Sequence, residues 1–410
     1  MTPLDGITVL DLSRVLAGPY CTMTLGDLGA TVWKIENPAG GDETRTWLPP
    51  DVAGVSTYYL AINRNKKSIA IDLKHPDGSR LARELALRAD VLVANFLPGT
   101  LERFGLDYET LSASNPGLVH CTISGYGASG SRARQAGYDF VIQGESGFMA
   151  ITGEPGQEPM KHGLAVCDLL TGGNASQAIL AALLARNRDG RGQAIDISLL
   201  DSALAAMSSV AAAALNTAFE PKSYGNAHPS IVPYQTFRAA DGNLVLACGN
   251  DRQFRDLCER VIDRPQYVAD ARFATNEARV EHRDEVARAI GEVFERMTCA
   301  EILAKASAAN VPAGPIRGVR DALNAPEVAE RGMIASFEHA SVGHVEVVGS
   351  PLHLLGTPVE MRSGPPVLGQ HTREVLGGVL RLDAAALDVL ESGGAIRSAN
   401  VNVNASAGET

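Results

Sequence analysis

Short apolar runs alternate with helical patterns through the first third of the chain. Residues 7–12 form an apolar run, a helical pattern follows to Gly29, and a second run occupies 31–36. That sequence of periods predicts a βαβ unit. The alternation continues with expected strands at 68–73, 91–96 and 118–124, separated by expected helices at 76–88 and 99–104. An α/β fold follows, with a mostly parallel sheet covered on both faces and ligands bound beyond the carboxyl ends of the strands. Residues 175–185 are apolar all round, which predicts a helix enclosed in a core. After a strand at 194–200, the small-residue run 203–219 is expected to pack closely against other helices. From about 224 to 326 the texture changes to a strand near 244–248 and amphipathic helices near 251–263, 282–297 and 299–309, a smaller α+β domain. Short β runs between 334 and 359 turn at Gly343, and residues 394–410 are Ser/Asn/Gly-rich, the composition of a disordered tail.

Composition narrows the function classes. With 410 residues, 45% hydrophobic and 20% charged, the chain fits a two-domain soluble enzyme. Its 36 basic and 47 acidic residues give a net charge of −11. That balance speaks against nucleic acid and anionic membranes as partners, so any anionic ligand must be held by local basic clusters. The six cysteines include no Cys-x-x-Cys pair and lie in apolar runs, as expected of reduced thiols in a cytoplasmic protein. The chain runs directly into its first strand with no basic or apolar leader, so no secretion is expected. No apolar run is long enough to span a bilayer.

The candidate chemistry gathers around Asp168. This carboxylate lies between an apolar run and the Gly172–Gly173 pair, at the expected mouth of a helix. There it is either an N-cap or a group held ionised by the helix dipole, and the two roles are compatible. Gly163, Gly172 and Gly173 are expected to leave room for a large ligand. Basic residues recur at strand ends, among them Arg14, Lys67, Lys74 and Arg103, which points to phosphates. A Gly-x-Gly-x-x-Gly stands at Gly125, Gly127 and Gly130, but it follows the fifth strand instead of the first and opens no apolar helix. Nucleotide binding by that motif is therefore disfavoured.

Taken together, these blocks resemble the family III coenzyme A transferases. The resemblance rests on Leu10-Asp-Leu-Ser-Arg-Val-Leu-Ala-Gly-Pro19, Gly29-Ala-Thr-Val-Trp-Lys-Ile-Glu36, Asn63-Arg-Asn-Lys-Lys-Ser68, Val93-Ala-Asn-Phe-Leu-Pro-Gly99 and the Asp168 stretch. Tyr58-Tyr-Leu60 and the block 227–235 look most like the succinate–hydroxymethylglutarate, or dicarboxylate, branch. The resemblance implies a Rossmann-like large domain built from 1–223 and a return segment at 327–393, with the small domain at 224–326 between them. It further implies an interlocked homodimer, an acyl-CoA thioester as substrate with no permanently bound cofactor or metal, and a short carboxylic acid as acceptor. By the same resemblance, Asp168 is the nucleophile, and Val15, Leu16, Ala17, Ile71, Lys74, Asn95, Phe96, Arg103 and Tyr138 line the CoA site.

Arg45, His162 and His228 are candidates to hold the distal carboxylate of a diacid. Two departures bear on the reaction. Leu16 stands where the formyl-CoA:oxalate branch carries Gln, which speaks against oxalate. Tyr138 stands where the related α-methylacyl-CoA racemases carry His. A phenol with an ordinary pKa of about 10 is a poor base, so an isomerase is the second reading.

Overall fold

The computed structural model describes residues 1–399 of the chain. It divides into two compact units, one formed by 1–146, 162–212 and the chain from 327 onward, the other by 147–161 and 213–326. Segments 147–161 and 213–223 group with the second unit because they are tied to one another there. The Gly225 N–H donates to Gly153 O at 3.1 Å, and Ser223 Oγ to Glu154 O at 3.3 Å.

The large unit is built on a seven-stranded sheet. In chain order its strands are β1 (Thr8–Asp11), β2 (Thr31–Glu36), β3 (Lys66–Ile71), β4 (Val91–Ala94), β5 (Val119–Ser124), β6 (Ala194–Ser198) and β7 (Ile396–Arg397). Their order across the sheet is β7-β3-β2-β1-β4-β5-β6, and every pairing is parallel except β7 on β3. The parallel sheet expected from the alternation is therefore present. Its core is continuous: Leu10, Ile69, Leu81, Leu85 and Leu92 have no exposed surface and pack with Leu376 of a C-terminal helix. The helix Pro76–Ala86 shows why such segments fold as they do. Pro76 opens it, the His75 ring accepts from the Asp77 N–H, and Leu81, Ala82, Leu85 and Ala86 share its buried face.

Five further helices matter for the site. They are α1 (Ala17–Asp27), α2 (Asp139–Glu145), α3 (Val166–Asp189), α4 (Leu199–Ala206) and α5 (Ser208–Asn216). Three expectations are corrected here. α3 is not enclosed on every face, since Leu184 is 68% exposed. The small-residue run is two helices bent by 80°, and α5 buries none of its side chains. Residues 396–397 form a strand instead of a disordered tail, while the rest of that tail, 400–410, lies outside the described residues.

Beneath the turn after β1 lies a buried charged layer. Asp11 Oδ1 accepts from the Ser13 N–H at 2.9 Å, and its Oδ2 accepts from Thr22 Oγ1 at 2.6 Å and Lys66 Nζ at 3.1 Å. Burial alone would raise the Asp11 pKa, but Lys66 and Lys34 outweigh it and bring the carboxyl down to about 2. Lys34 Nζ donates to Ser13 O at 2.8 Å and lies 3.0 Å from Asp42. These groups hold the turn 13–17 from below.

The second unit has its own core. A three-stranded antiparallel sheet of Tyr234–Ala239, Gly242–Ala247 and Ala313–Pro315 packs Phe237, Leu244 and Leu246 with Phe254 and Phe294.

Candidate active site

Asp168 sits in the first turn of α3, after an N-cap at Ala165 that supplies no side-chain bond. The capping is done by a residue far away in sequence. Asp139 Oδ1 accepts from the N–H groups of Cys167 at 2.7 Å and Asp168 at 3.2 Å. Its Oδ2 accepts from Gln143 Nε2 at 2.5 Å, and Gln143 Oε1 in turn accepts from the His162 N–H at 2.7 Å. The helix therefore spends its first donors on Asp139, not on Asp168. The carboxylate that accepts from this helix end is thus Asp139, where the sequence pointed to Asp168. Burial, and then the charge of Asp139, push the Asp168 carboxyl up to about 7. Tyr58 is driven to about 12 by burial and by the charges of Asp168 and Asp139, so its hydroxyl stays neutral. Cys167 has no exposed surface, and burial raises its thiol to about 12, which leaves it a packing residue.

The half-buried Asp168 lines a cavity of about 230 Å³ together with Val15, Leu16, Ala17, Asn95, Phe96 and Tyr138. A second cavity of about 730 Å³ is lined by Ile71, Lys74, Phe96 and Arg103, over the carboxyl ends of β1, β2 and β3. All ten residues assigned to catalysis and CoA by resemblance thus line one or other of two cavities that share Phe96. The larger cavity combines apolar walls (Leu12, Ile35, Leu73, Phe104) with the cations Arg14, Lys74 and Arg103 and the carboxylates Glu36, Asp42, Glu43 and Asp72. That lining suits a base and ribose flanked by phosphates.

The turn from β1 into α1 is the strained part. Val15 adopts φ +71°, a conformation unusual for a β-branched residue and one that costs on the order of 1–3 kcal/mol. It is held by its neighbours: the Val15 N–H donates to Asp42 Oδ1 at 3.2 Å, and the Asn95 amide bonds both the N–H and the C=O of Arg14 at 2.9 and 2.7 Å. Asn95 therefore spends its polar groups on the turn. The helix that follows presents Leu16 and Ala17 to the Asp168 cavity, so the N-termini of α1 and α3 meet there. Gly172 serves that meeting: a Cβ on it would lie 2.5 Å from Ala17 O. The space expected beside Gly172 for a ligand is thus taken by the backbone of α1.

The candidates for a distal carboxylate fare differently. Arg45 is fully engaged, with Nε and Nη2 on Glu36 at 2.8 and 2.9 Å, Nη2 on Tyr59 Oη at 2.6 Å, and its guanidinium 3.7 Å over the Tyr59 ring. It is a fold residue, which corrects that expectation. His162 lies outside both cavity linings, and its Nδ1 accepts from the Leu164 N–H at 3.1 Å. His228 belongs to the second unit, where its Nδ1 accepts from the Ser230 N–H at 3.0 Å and its ring lies 5.3 Å from that of Tyr234. Asp139, Gln143 and Tyr58 were missed by sequence reasoning. Asp139 adjoins Tyr138, and Tyr58 lies in the block that resembles the dicarboxylate branch, so two of them carried a signal. The glycine motif at 125–130 remains a loop, with Gly125 packed against the backbone of Gly137, where a Cβ would fall 2.8 Å from its Cα.

The family model for "CoA-transferase family III" matches residues 4–372. The chain belongs to this family. Among curated relatives, succinyl-CoA:glutarate CoA-transferase of Mus musculus is 42% identical over 97% of this chain and 91% of its own length. The succinate–glutarate CoA-transferase of Agrobacterium fabrum is 42% identical over 94% of this chain and 97% of its own. A solved structure of a CaiB/BaiF family protein from Brucella suis is 41% identical, with a TM-score of 0.82 over 92% of this chain and 99% of that one. As a family III CoA-transferase, the chain takes a CoA thioester as substrate.

Proposed function

We propose that this enzyme transfers CoA from an acyl-CoA such as succinyl-CoA to a short dicarboxylic acid, with Asp168 as the nucleophile. The observation that carries the reading is the placement of a half-buried carboxylate in a narrow cavity that shares its wall with a larger, cation-bearing one. Asp168 attacks the thioester carbonyl, forming an aspartyl anhydride and releasing CoA thiolate. The thiolate then attacks the aspartyl carbonyl of the anhydride, which yields an aspartyl-CoA thioester and frees the donor acid. The acceptor carboxylate runs the two steps in reverse. One thioester is exchanged for another, so the energy of the bond is kept throughout. N–H groups at the start of α1, at Ala17 and Gly18, are the candidate donors to the oxyanion.

The diacid preference follows from the names of the relatives above, both succinyl- or succinate-dependent glutarate transferases. His162 and His228 stay as the candidates for the distal carboxylate, each ring accepting a backbone N–H through its Nδ1. A cytoplasmic, interlocked homodimer, with the large unit as CoA-binding domain, completes the reading. An α-methylacyl-CoA racemase is the weaker alternative, because Tyr138 offers a phenol where an imidazole would be needed.

The test is direct. Asp168→Asn should lose transfer from succinyl-CoA to glutarate by about 10³-fold or more, the scale of removing a nucleophile. Borohydride should trap the wild-type enzyme at Asp168 after acyl-CoA addition. Turnover by Asp168→Asn at the wild-type rate sinks the proposal, and exchange of the substrate α-hydrogen with deuterated water in the absence of acceptor acid would favour the racemase.

A further inference from the structure

Three residues line both the larger cavity and the Asp168 cavity: Arg14, Glu43 and Phe96. They form the neck between the space bearing Lys74 and Arg103 and the space bearing Asp168. Arg14 Nη1 lies 2.9 Å from Glu43 Oε1, and the guanidinium carbon lies 5.3 Å from the centre of the Phe96 ring. Both partners of the ion pair are 44% exposed. A pair so exposed contributes little to stability, so exchanging one partner costs little.

The backbone beneath Arg14, by contrast, is fixed. Asn95 holds its N–H and C=O, Asp42 holds the N–H of Val15, and Lys34 holds the C=O of Ser13. An anchored backbone thus carries a long side chain whose one ionic contact is solvent-exposed. Glu43 is the unexpected group. Of the other carboxylates in the larger cavity, Glu36 and Asp42 are committed to Arg45 and Lys34, and Asp72 Oδ1 accepts from the Lys74 N–H. Glu43 opposes any anion that enters, except insofar as it keeps Arg14 at the neck.

We propose that Arg14 is a further CoA-binding residue that exchanges Glu43 for a phosphate of the nucleotide. This rests on the reading that the ligand is a CoA thioester. Carboxylate and phosphate both accept the paired N–H groups of a guanidinium, so Glu43 competes with the ligand for Arg14. The exchange moves Arg14 at the neck as the nucleotide docks, which couples occupancy of the larger cavity to passage of the pantetheine arm toward Asp168. Removing the two partners must then act in opposite directions, whereas a purely structural ion pair would be weakened alike from either end.

Calorimetric titration of the full chain with free CoA and with pantetheine, which lacks the phosphates, tests this. Arg14→Ala should weaken CoA binding by about tenfold or more, the scale of a lost charge-assisted hydrogen bond, and leave pantetheine unaffected. Glu43→Gln should tighten CoA binding by about two- to fivefold, since it removes a weak competitor. Arg14→Lys, which keeps the charge and loses the fork, should fall between Arg14→Ala and the wild type, and it answers the question if the alanine variant does not fold. The proposal is overturned if both single variants weaken CoA binding alike, if neither changes it, or if Arg14→Ala weakens pantetheine as much as CoA. A wild-type chain that binds no CoA overturns the underlying reading itself, which separates the two failures.

Discussion

At the scale of single residues, two carboxylates share one helix end and only one of them is served by it. Asp139 takes the Cys167 and Asp168 N–H groups, and Asp168 is left half-buried beside a negative neighbour, with its pKa at about 7. The nucleophile is the ionised form, so its population grows as pH rises through that value. Below about 7 the rate should fall tenfold per unit, and a kcat/KM profile should show an acid limb close to neutrality. Asp139→Asn keeps an oxygen acceptor for both N–H groups and removes the charge. Its acid limb should move to lower pH, though only part of the way, because burial is the larger cause. A limb that stays in place would show that the Asp139 charge does not reach Asp168. Asp168 was legible in the sequence because a carboxylate between an apolar run and a glycine pair is an odd placement. Asp139 was not, since a contact 29 residues away leaves no local period to read. Arg45 illustrates the opposite case: a cation that looks available in sequence is spent on Glu36 and Tyr59 once the chain folds.

At the scale of elements, the site depends on how closely α1 and α3 approach. Gly172 faces the Ala17 carbonyl, and a methyl group there would sit 2.5 Å from a backbone oxygen that cannot rotate away. Gly173, one position on, has nothing within 4 Å. Gly172→Ala should therefore push α1 outward, cost about 1–3 kcal/mol by overpacking, and lower transferase activity as Ala17 leaves its place by Asp168. Gly173→Ala should preserve activity and raise stability by up to about 1 kcal/mol through helix propensity. Thermal melts and rates on both variants decide the matter; equal behaviour of the two would remove helix approach as the reason for the first glycine. The strands and helices of the large unit were legible because alternation of the two periods is a strong signal. The start of α3 was not, since Leu164 to Val166 are as apolar as a buried strand end. The exposure of α5 was equally hidden, because an alanine-rich run reads the same whether covered or bare.

At the scale of the whole molecule, the sheet is finished by residues from the far end of the chain. Ile396 on β7 pairs antiparallel with Ile71 at the end of β3, and the Asp72 N–H donates to Ala395 O at 2.9 Å. Ile71 and Asp72 line the larger cavity, so the last strand braces the wall against which a nucleotide would lie. Composition pointed the other way, since a Ser/Asn/Gly-rich end reads as disorder. Two residues of strand carry too little pattern to be seen without the partner they pair with. Ile396 is 2% exposed within the main core, so Ile396→Ala should cost about 2–5 kcal/mol. The loss belongs to the large unit, because the second unit has a separate core of its own. If the two units unfold separately, only the large-unit transition should move in a denaturant titration, and CoA should bind more weakly in proportion to the loosening of Ile71. An unchanged midpoint for that transition would mean that β7 merely lies along the sheet edge, and that the nucleotide cavity is complete without the return of the chain.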